Sequence, residues 1–277
     1  MAGITTEKLS ASVGALVGDV DPGRLLDDPD VPALIHEVLE ENGALVFRGL
    51  HLDDDTQIAF SKRLGEVEKL GRGPQPEIFR VTLDRSKNPA AEYLKGTFQW
   101  HIDGCTDDIP IMATVLSAHA VAETGGETEF ASTYAAYEGL PDDEKADVER
   151  LRAVHSVRAS LSPIADAIPE KHRERVLGIG LIKDHPLVWT HKSGRKSMVI
   201  GTTADHIQDM DIPAGRAMLI RLQEWAAQPD YSLRHKWSEG DFVIWDNTGA
   251  MHRAIPYDKS TGRMMHRTSI AGTESVA

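Results

Sequence analysis

Two side chains set two positions apart carry the first suggestion of chemistry: His101 and Asp103 in Trp100-His101-Ile102-Asp103-Gly104. On an extended segment, residues i and i+2 point to the same face. An imidazole nitrogen and a carboxylate oxygen there suit a borderline divalent ion. A second histidine from elsewhere completes a two-His-one-carboxylate triad, which leaves positions open for non-haem Fe(II) oxygen chemistry. His252, in Trp245-Asp246-Asn247-Thr248-Gly249-Ala250-Met251-His252, is far enough downstream to come from a different strand of the same barrel. Alone, His-x-Asp is a weak signal. With 12 His in 277 residues, roughly one such pair is expected by chance.

A pair of arginines adds to it. In Arg263-Met264-Met265-His266-Arg267 a period of two puts Arg263, Met265 and Arg267 on one face and Met264 and His266 on the other. At strand rise their α-carbons lie roughly 13 Å apart, which lets them anchor two anions at different depths of one cavity. An arbitrary arginine pair on a strand more often means solvated charge. The three metal ligands alone also fit a Zn(II) hydrolase, which needs no arginine anion site. A barrel that binds a small acid as sensor or carrier fits as well. His155, His185, His191 and His266 lack comparable partners and read as structural or surface residues. Trp100 and Trp245 read as core packing beside the ligands, and Cys105 as a small buried hydrophobe.

The elements that must position these groups follow from periodicity. Residues 4–20 read as short strands closed by a turn at Asp21-Pro22-Gly23. Apolar residues at helical spacing predict a helix over 28–41 ended by Asn42-Gly43, and a second helix follows from Asp53 to about Leu64. Ala44–Phe47 and Ile78–Leu83 read as strands. The polar stretch Asp84–Ala91 stands just before the metal motif, where an active-site lid or a plain surface connection fits. Ile111–Ala118 and Thr128–Ser132 read as a hairpin-like pair joined through Gly125-Gly126. Helices are expected over 141–152, 163–177 and 213–227, and a hairpin over 185–200 about Lys192-Ser193-Gly194-Arg195. The last third reads as strands near 231–237, 241–246, 251–255 and 263–271. Many short strands with helical interruptions predict a mainly β, α+β fold. Its core would be a double-stranded β-helix (jelly roll) with helical insertions packed outside, in a single domain over 1–277.

Thirty basic against 43 acidic residues give a net charge of −13, which argues against nucleic acid or an anionic membrane as partner. Any bound anion must therefore be held by individual arginines. One cysteine allows no internal disulfide, and neither a leader-like amino terminus nor a run of membrane-spanning length is present, so a cytoplasmic enzyme is expected.

Together these residues resemble the Fe(II)/2-oxoglutarate-dependent dioxygenases of the taurine and chlorophenoxyacetate dioxygenase (TauD/TfdA) family. The resemblance lies in His101-x-Asp103, His252, Arg263 eleven positions later and Arg267 four beyond. Gly125-Gly126-Glu127-Thr128 followed by Ala135-Ala136-Tyr137, and Trp245-Asp246-Asn247, extend it from about Gly43 to Ile270. It implies that His101, Asp103 and His252 hold Fe(II), that Thr128 and Arg263 bind the far carboxylate of 2-oxoglutarate, and that Arg267 meets an acidic group on the primary substrate. By the family's chemistry O2 and 2-oxoglutarate are consumed, succinate and CO2 released, and a C–H bond hydroxylated. Members often self-associate, which implies a homo-oligomer. The taurine-specific contacts are not matched: no His lies between Glu66 and Trp100, and Thr97 stands four before His101. Tyr93 and Lys95 are the candidates to serve a different acid. Ser160 and Leu161 match a pocket-lining stretch, with Leu161 where taurine enzymes carry an aromatic. The expected substrate is a small carboxylate, sulfonate or sulfate; the alternative is an amino-acid-derived carboxylate on a biosynthetic path.

Overall fold

A computed structural model describes residues 3–71 and 73–277. The chain opens with the antiparallel strands β1 (Thr5–Lys8) and β2 (Ala15–Gly18). Asp21-Pro22-Gly23, expected as a turn, instead starts α1 (Pro22–Asp27): Asp21 accepts from the Arg24 amide and Pro22 takes the first turn. A proline there loses no hydrogen bond, and the aspartate caps a free amide. α2 (Val31–Asn42) stops at Gly43, whose φ of 68° is the left-handed end expected for it. β3 (Ala44–Phe47) is buried throughout, and α3 (Asp54–Leu64) is capped by Asp53. After β4 (Phe79–Val81), a 3-10 turn over Tyr93–Phe98 leads to the His101 motif.

β5 (Ala113–Ala120) and β6 (Thr128–Ser132) precede α4 (Thr133–Glu138) and α5 (Asp142–Val148). Arg152, placed by periodicity in the helix over 141–152, begins β7 (Arg152–Ser156), which runs into α6 (Val157–Leu161). The helix expected over 163–177 divides into a 3-10 turn, Ser162–Ala167, and α7 (Glu170–Leu177). β8 (Ile182–Pro186) takes His185 out of the predicted hairpin, which is formed by β9 (Val188–Thr190) and β10 (Lys196–Met198). Then come β11 (Ala204–Ile207), α8 (Ile212–Ala226), β12 (Ser232–His235), β13 (Phe242–Asp246), β14 (Ala250–Ala254) and β15 (Met264–Ile270).

Seven strands form one sheet in the order β1-β2-β3-β13-β5-β15-β4, and β12-β6-β14 form a second. The expected hairpin of β5 with β6 is therefore a crossing between sheets: β5 pairs with β13 and β15, β6 with β12 and β14. Residues 113–118 of β5 are buried on both faces, which demands partners on both edges and cover above and below. Gly125 and Gly126, at φ 73° and 76°, turn the chain out of that sheet as no other residues do readily.

Phe130 of β6 packs with Val46, Val243, Trp245, Leu116 and Met265 between the two sheets, and burying one such aromatic contributes about 1.5–3 kcal/mol. The outer face of the large sheet carries Leu45, Phe47, Val115 and Ile244 against Leu25, Ile35 and Phe60 of the first three helices. A third cluster joins α4, α8 and the β9–β10 hairpin. The alternation expected from Arg263 holds only from Met265 on, because Arg263 precedes β15 and the register with β5 shifts between Met264 and Met265: Met265 enters the inter-sheet cluster, while His266 and Thr268 face α3. No described helix is long and apolar enough to cross a membrane.

Candidate active site

His101 and His252 are fastened to each other before any ion is considered. The His101 amide donates to the His252 carbonyl at 3.0 Å and the His252 amide to the His101 carbonyl at 2.8 Å. Their rings lie 4.1 Å apart between centroids. His101 Nδ1 donates to the Gln99 carbonyl at 2.9 Å, which leaves Nε2 as the bare nitrogen, 3.8 Å from Asp103 Oδ1. His252 Nε2 stands 3.8 Å from Asp103 Oδ2.

Asp103 is oriented by a relay that begins in the Trp245-Asp246-Asn247 motif. Trp245 Nε1 donates to Asn247 Oδ1 at 3.0 Å, Asn247 Nδ2 to Thr114 Oγ1 at 2.8 Å, and Thr114 Oγ1 to Asp103 Oδ2 at 2.9 Å. Each member uses its proton toward the next, so the carboxylate receives a fixed donor. Burial acts to raise the Asp103 carboxyl, but Arg267, His252 and His101 together with Thr114 hold it well below the usual carboxylate range. Burial, and then His101, push His252 well below the usual imidazole range. A carboxylate and two imidazoles, with donor atoms all within 4.8 Å of one another, fit a divalent transition-metal ion.

The two arginines have different surroundings. Arg267 Nη1 is 3.5 Å from Asp103 Oδ2, and its guanidinium lies 5.1 Å from the Phe79 ring centroid. Arg263 is only 3% exposed, donates through Nη2 to the Gly126 carbonyl at 3.0 Å and lies 4.8 Å from the Tyr257 ring. It has no carboxylate within ion-pair distance among the described residues. A buried guanidinium without a counter-charge is costly, so this site is built for an anion that arrives from outside. Thr128 is buried, and its hydroxyl accepts from Trp237 Nε1 at 2.9 Å. Trp237 lines one crevice with Arg263 and Gly126, so it links the two predicted cosubstrate residues. Nothing in the sequence marks it. A β-carbon on Gly126 would sit 2.9 Å from Arg263 Cδ and Nε, on a backbone of φ 76°. Gly126→Ala is therefore expected to displace the guanidinium, raising the KM for an anion held there at least about tenfold and costing about 1–3 kcal/mol of stability. Steady-state kinetics and thermal melts check both.

A pocket of about 220 Å³ opens beside His101 and Asp103, lined among others by Tyr93, Leu161 and Ser160. Lys95 lies elsewhere: its ammonium meets Glu92 at 3.3 Å, and the residue lines a separate depression with Phe98 and Arg253. Thr202 and Thr203, which periodicity did not single out, complete the pocket wall. Their one sequence signal is Gly201, at φ 114°, where a β-carbon would press within 3.0 Å of the Trp100 carbonyl while the Thr202 amide bonds that same oxygen. Cys105 also lines the pocket, and burial and then Asp103 push its thiol up to about 12, so it stays protonated. His155 and His191 are buried, bonded to Thr203 and Ser197. His266 does have partners: it faces Asp54 and His119.

Residues 5–269 match the model of the taurine catabolism dioxygenase TauD, TfdA family. The chain belongs to that family. The alpha-ketoglutarate-dependent 2,4-dichlorophenoxyacetate dioxygenase of Burkholderia sp. (strain RASC) is 33% identical over 93% of this chain and 89% of its own length. The (S)-phenoxypropionate/alpha-ketoglutarate-dioxygenase of Delftia acidovorans is 34% identical over 95% of this chain and 93% of its own. The structure is similar to the crystal structure of AAD-2 in complex with Mn(II) and N-oxalylglycine, with a TM-score of 0.83, 30% identity and 99% of both chains covered. This TauD/TfdA-family protein is thus a 2-oxoglutarate-dependent dioxygenase, with Fe(II) as cofactor and 2-oxoglutarate and O2 as cosubstrates. Its mostly β, mixed architecture is that of the family's solved structures.

Proposed function

We propose that this dioxygenase hydroxylates a small carboxylate, sulfonate or sulfate, using His101, Asp103 and His252 to hold Fe(II). Arg263 and Thr128 hold the far carboxylate of 2-oxoglutarate, Arg267 the acidic group of the primary substrate, and Tyr93, Ser160 and Leu161 its remainder. The observation that carries this reading is the second guanidinium, Arg267, set 3.5 Å from the Asp103 carboxylate at the metal centre. When bound, the metal and cosubstrate supply the oxidation: O2 is consumed, 2-oxoglutarate becomes succinate and CO2, and one oxygen atom enters a C–H bond.

The chain's own work is positioning. Thr114 keeps one Asp103 oxygen engaged, and the paired backbones of His101 and His252 keep two rings in register. Fe(II), Asp103 and 2-oxoglutarate sum to a charge of −1, which Arg267 offsets while offering the substrate acid a planar fork. A pocket of about 220 Å³ admits only a small molecule. Relatives named for phenoxyacetate, phenoxypropionate and alkyl sulfate substrates support an acid of that size. The large sheet facing β12-β6-β14 across one apolar cluster supports a jelly-roll core, and a family match over residues 5–269 supports one domain. A lone buried cysteine supports the cytoplasm as the place of action.

Anaerobic addition of Fe(II) and 2-oxoglutarate to the metal-free chain is expected to produce the visible charge-transfer band of a 2-oxo acid on Fe(II). Succinate release, screened over aryloxyalkanoates, alkyl sulfates and sulfonates, then identifies the substrate class. Metal binding without the band would overturn the assignment. Arg267→Ala is expected to raise KM for the acidic substrate by about 10–150-fold, for the loss of about 1.5–3 kcal/mol of charge-assisted bonding. The KM for 2-oxoglutarate changes far less; equal effects on both would remove the division of labour between Arg263 and Arg267.

A further inference from the structure

Across β15 from Arg267, its neighbour His266 faces the opposite side of the large sheet. There a second two-His-one-carboxylate set is assembled from three elements: Asp54 from the first turn of α3, His119 from β5 and His266 from β15. One donor atom from each lies within 4.8 Å of the others, the same limit that the His101, Asp103 and His252 set meets. The two rings are 3.8 Å apart between centroids at 31°, close to the 4.1 Å and 45° of the first pair. His266 Nδ1 and Asp54 Oδ1 are 2.5 Å apart. That one bond is enough to pin a helix start to a strand. His119 adds nothing to such a pin, and it turns the pair into a donor set.

The surroundings orient the ligands as metal sites require. Ser117 gives its proton to Gln57 Oε1 at 2.6 Å, so at 3.1 Å it accepts from His119 Nε2 and leaves Nδ1 as the ring's lone pair. Gln57 Nε2 in turn donates to the His266 carbonyl at 3.1 Å. Burial and the neighbouring His266 push His119 below its ordinary imidazole range, while Asp54 acts the other way. Arg80, from β4, is the cation that acts on His119, and Asp54 faces it with an opposite charge. His119 is exposed, so an ion reaches the set from solvent, and Asp54 also lines a cavity of about 470 Å³.

We propose that Asp54, His119 and His266 form a second divalent-cation site, separate from the catalytic centre and suited by its nitrogen-rich donors to Zn(II) or a similar borderline ion. The ion replaces the proton shared by His266 and Asp54 and ties α3, β5 and β15 together beside the strand that carries Arg267. Its role is to hold that strand.

The test is a Co(II) titration of the chelator-stripped full chain, read as equivalents bound and as visible d–d bands. The native chain is expected to take two equivalents, His119→Ala one, the His101→Ala/Asp103→Ala double variant one, and the triple variant none. Zn(II) is expected to raise the Tm of the double variant by several degrees and to leave that of the triple variant unchanged. Saturation of the native chain at one equivalent, or two equivalents retained by His119→Ala, overturns the proposal. A double variant that still binds two would instead overturn the catalytic ligand assignment. Where the double variant fails to fold, His119→Ala and Asp54→Asn serve in its place. Each is expected to keep the Fe(II)-2-oxoglutarate charge-transfer band while total bound metal falls by one equivalent, and unchanged total metal in both refutes the site.

Discussion

Asp103→Ala is expected to reduce succinate formation by about a thousandfold or more, a barrier increase of about 4 kcal/mol. Asp103 is the single anionic donor of the His101, Asp103 and His252 set. Its removal leaves two imidazoles, neither of them anionic, and, 3.5 Å from the vacated oxygen, the Arg267 guanidinium. The centre then changes from one that attracts a cation to one that repels it. Asp103→Asn separates charge from shape: it keeps the volume and the acceptor for Thr114 but loses the negative charge, and most of the loss is expected to persist. Metal content by elemental analysis and coupled succinate release are the measurements, with circular dichroism as the folding control. Full succinate release from either variant would remove Asp103 from the metal centre.

The second large effect is expected at Arg263. Arg263→Ala is predicted to raise the KM for 2-oxoglutarate about 10–150-fold, the equivalent of the 1.5–3 kcal/mol typical of a bond between charged partners. The reason lies in the environment of the guanidinium, which is buried, bonded to the Gly126 carbonyl and laid over Tyr257, with no described carboxylate in ion-pair reach. Burial pulls its pKa down, outweighing Tyr257 and the more distant Glu127, which act the other way. On the proposed assignment a cosubstrate carboxylate supplies a full counter-charge, so occupancy and the arginine stabilise each other. Arg263→Lys keeps a charge but loses the planar fork, and is expected to recover only part of the affinity. The melting temperature separates the roles: the native chain is expected to gain stability on adding 2-oxoglutarate with metal, and Arg263→Ala to gain much less. An unchanged KM in Arg263→Ala would place the far carboxylate elsewhere.

Much of this site was legible in the linear chain because its signals are local. A His-x-Asp on extended backbone, two arginines at even spacing and a Trp-Asp-Asn lead-in each declare themselves within a few residues, and strand alternation says which share a face. The structure keeps Met265 inward and His266 outward, and places Tyr93, Ser160 and Leu161 at the pocket beside the ligands. Capping was misread at Asp21-Pro22-Gly23 because aspartate before proline suits a turn and a helix start equally, and only Leu25 and its packing partners choose between them.

What the sequence by itself determined is the family chemistry, through the residue types of a two-His-one-carboxylate set and two downstream arginines, and most of the strands and helices that carry them. Tertiary structure alone decided who meets whom. Periodicity cannot say that β5 leaves β6 for β13 and β15, since strand order depends on which faces are covered by elements far along the chain. It cannot place Trp237 against Thr128, Lys95 against Glu92, or the relay from Trp245 through Asn247 and Thr114 to Asp103. Nor can it bring Asp54, His119 and His266 to one point. The physical reason is the same in each case: alternation along a strand is local, whereas contact between strands is set by hydrogen-bond register and by burial shared among residues far apart in the chain.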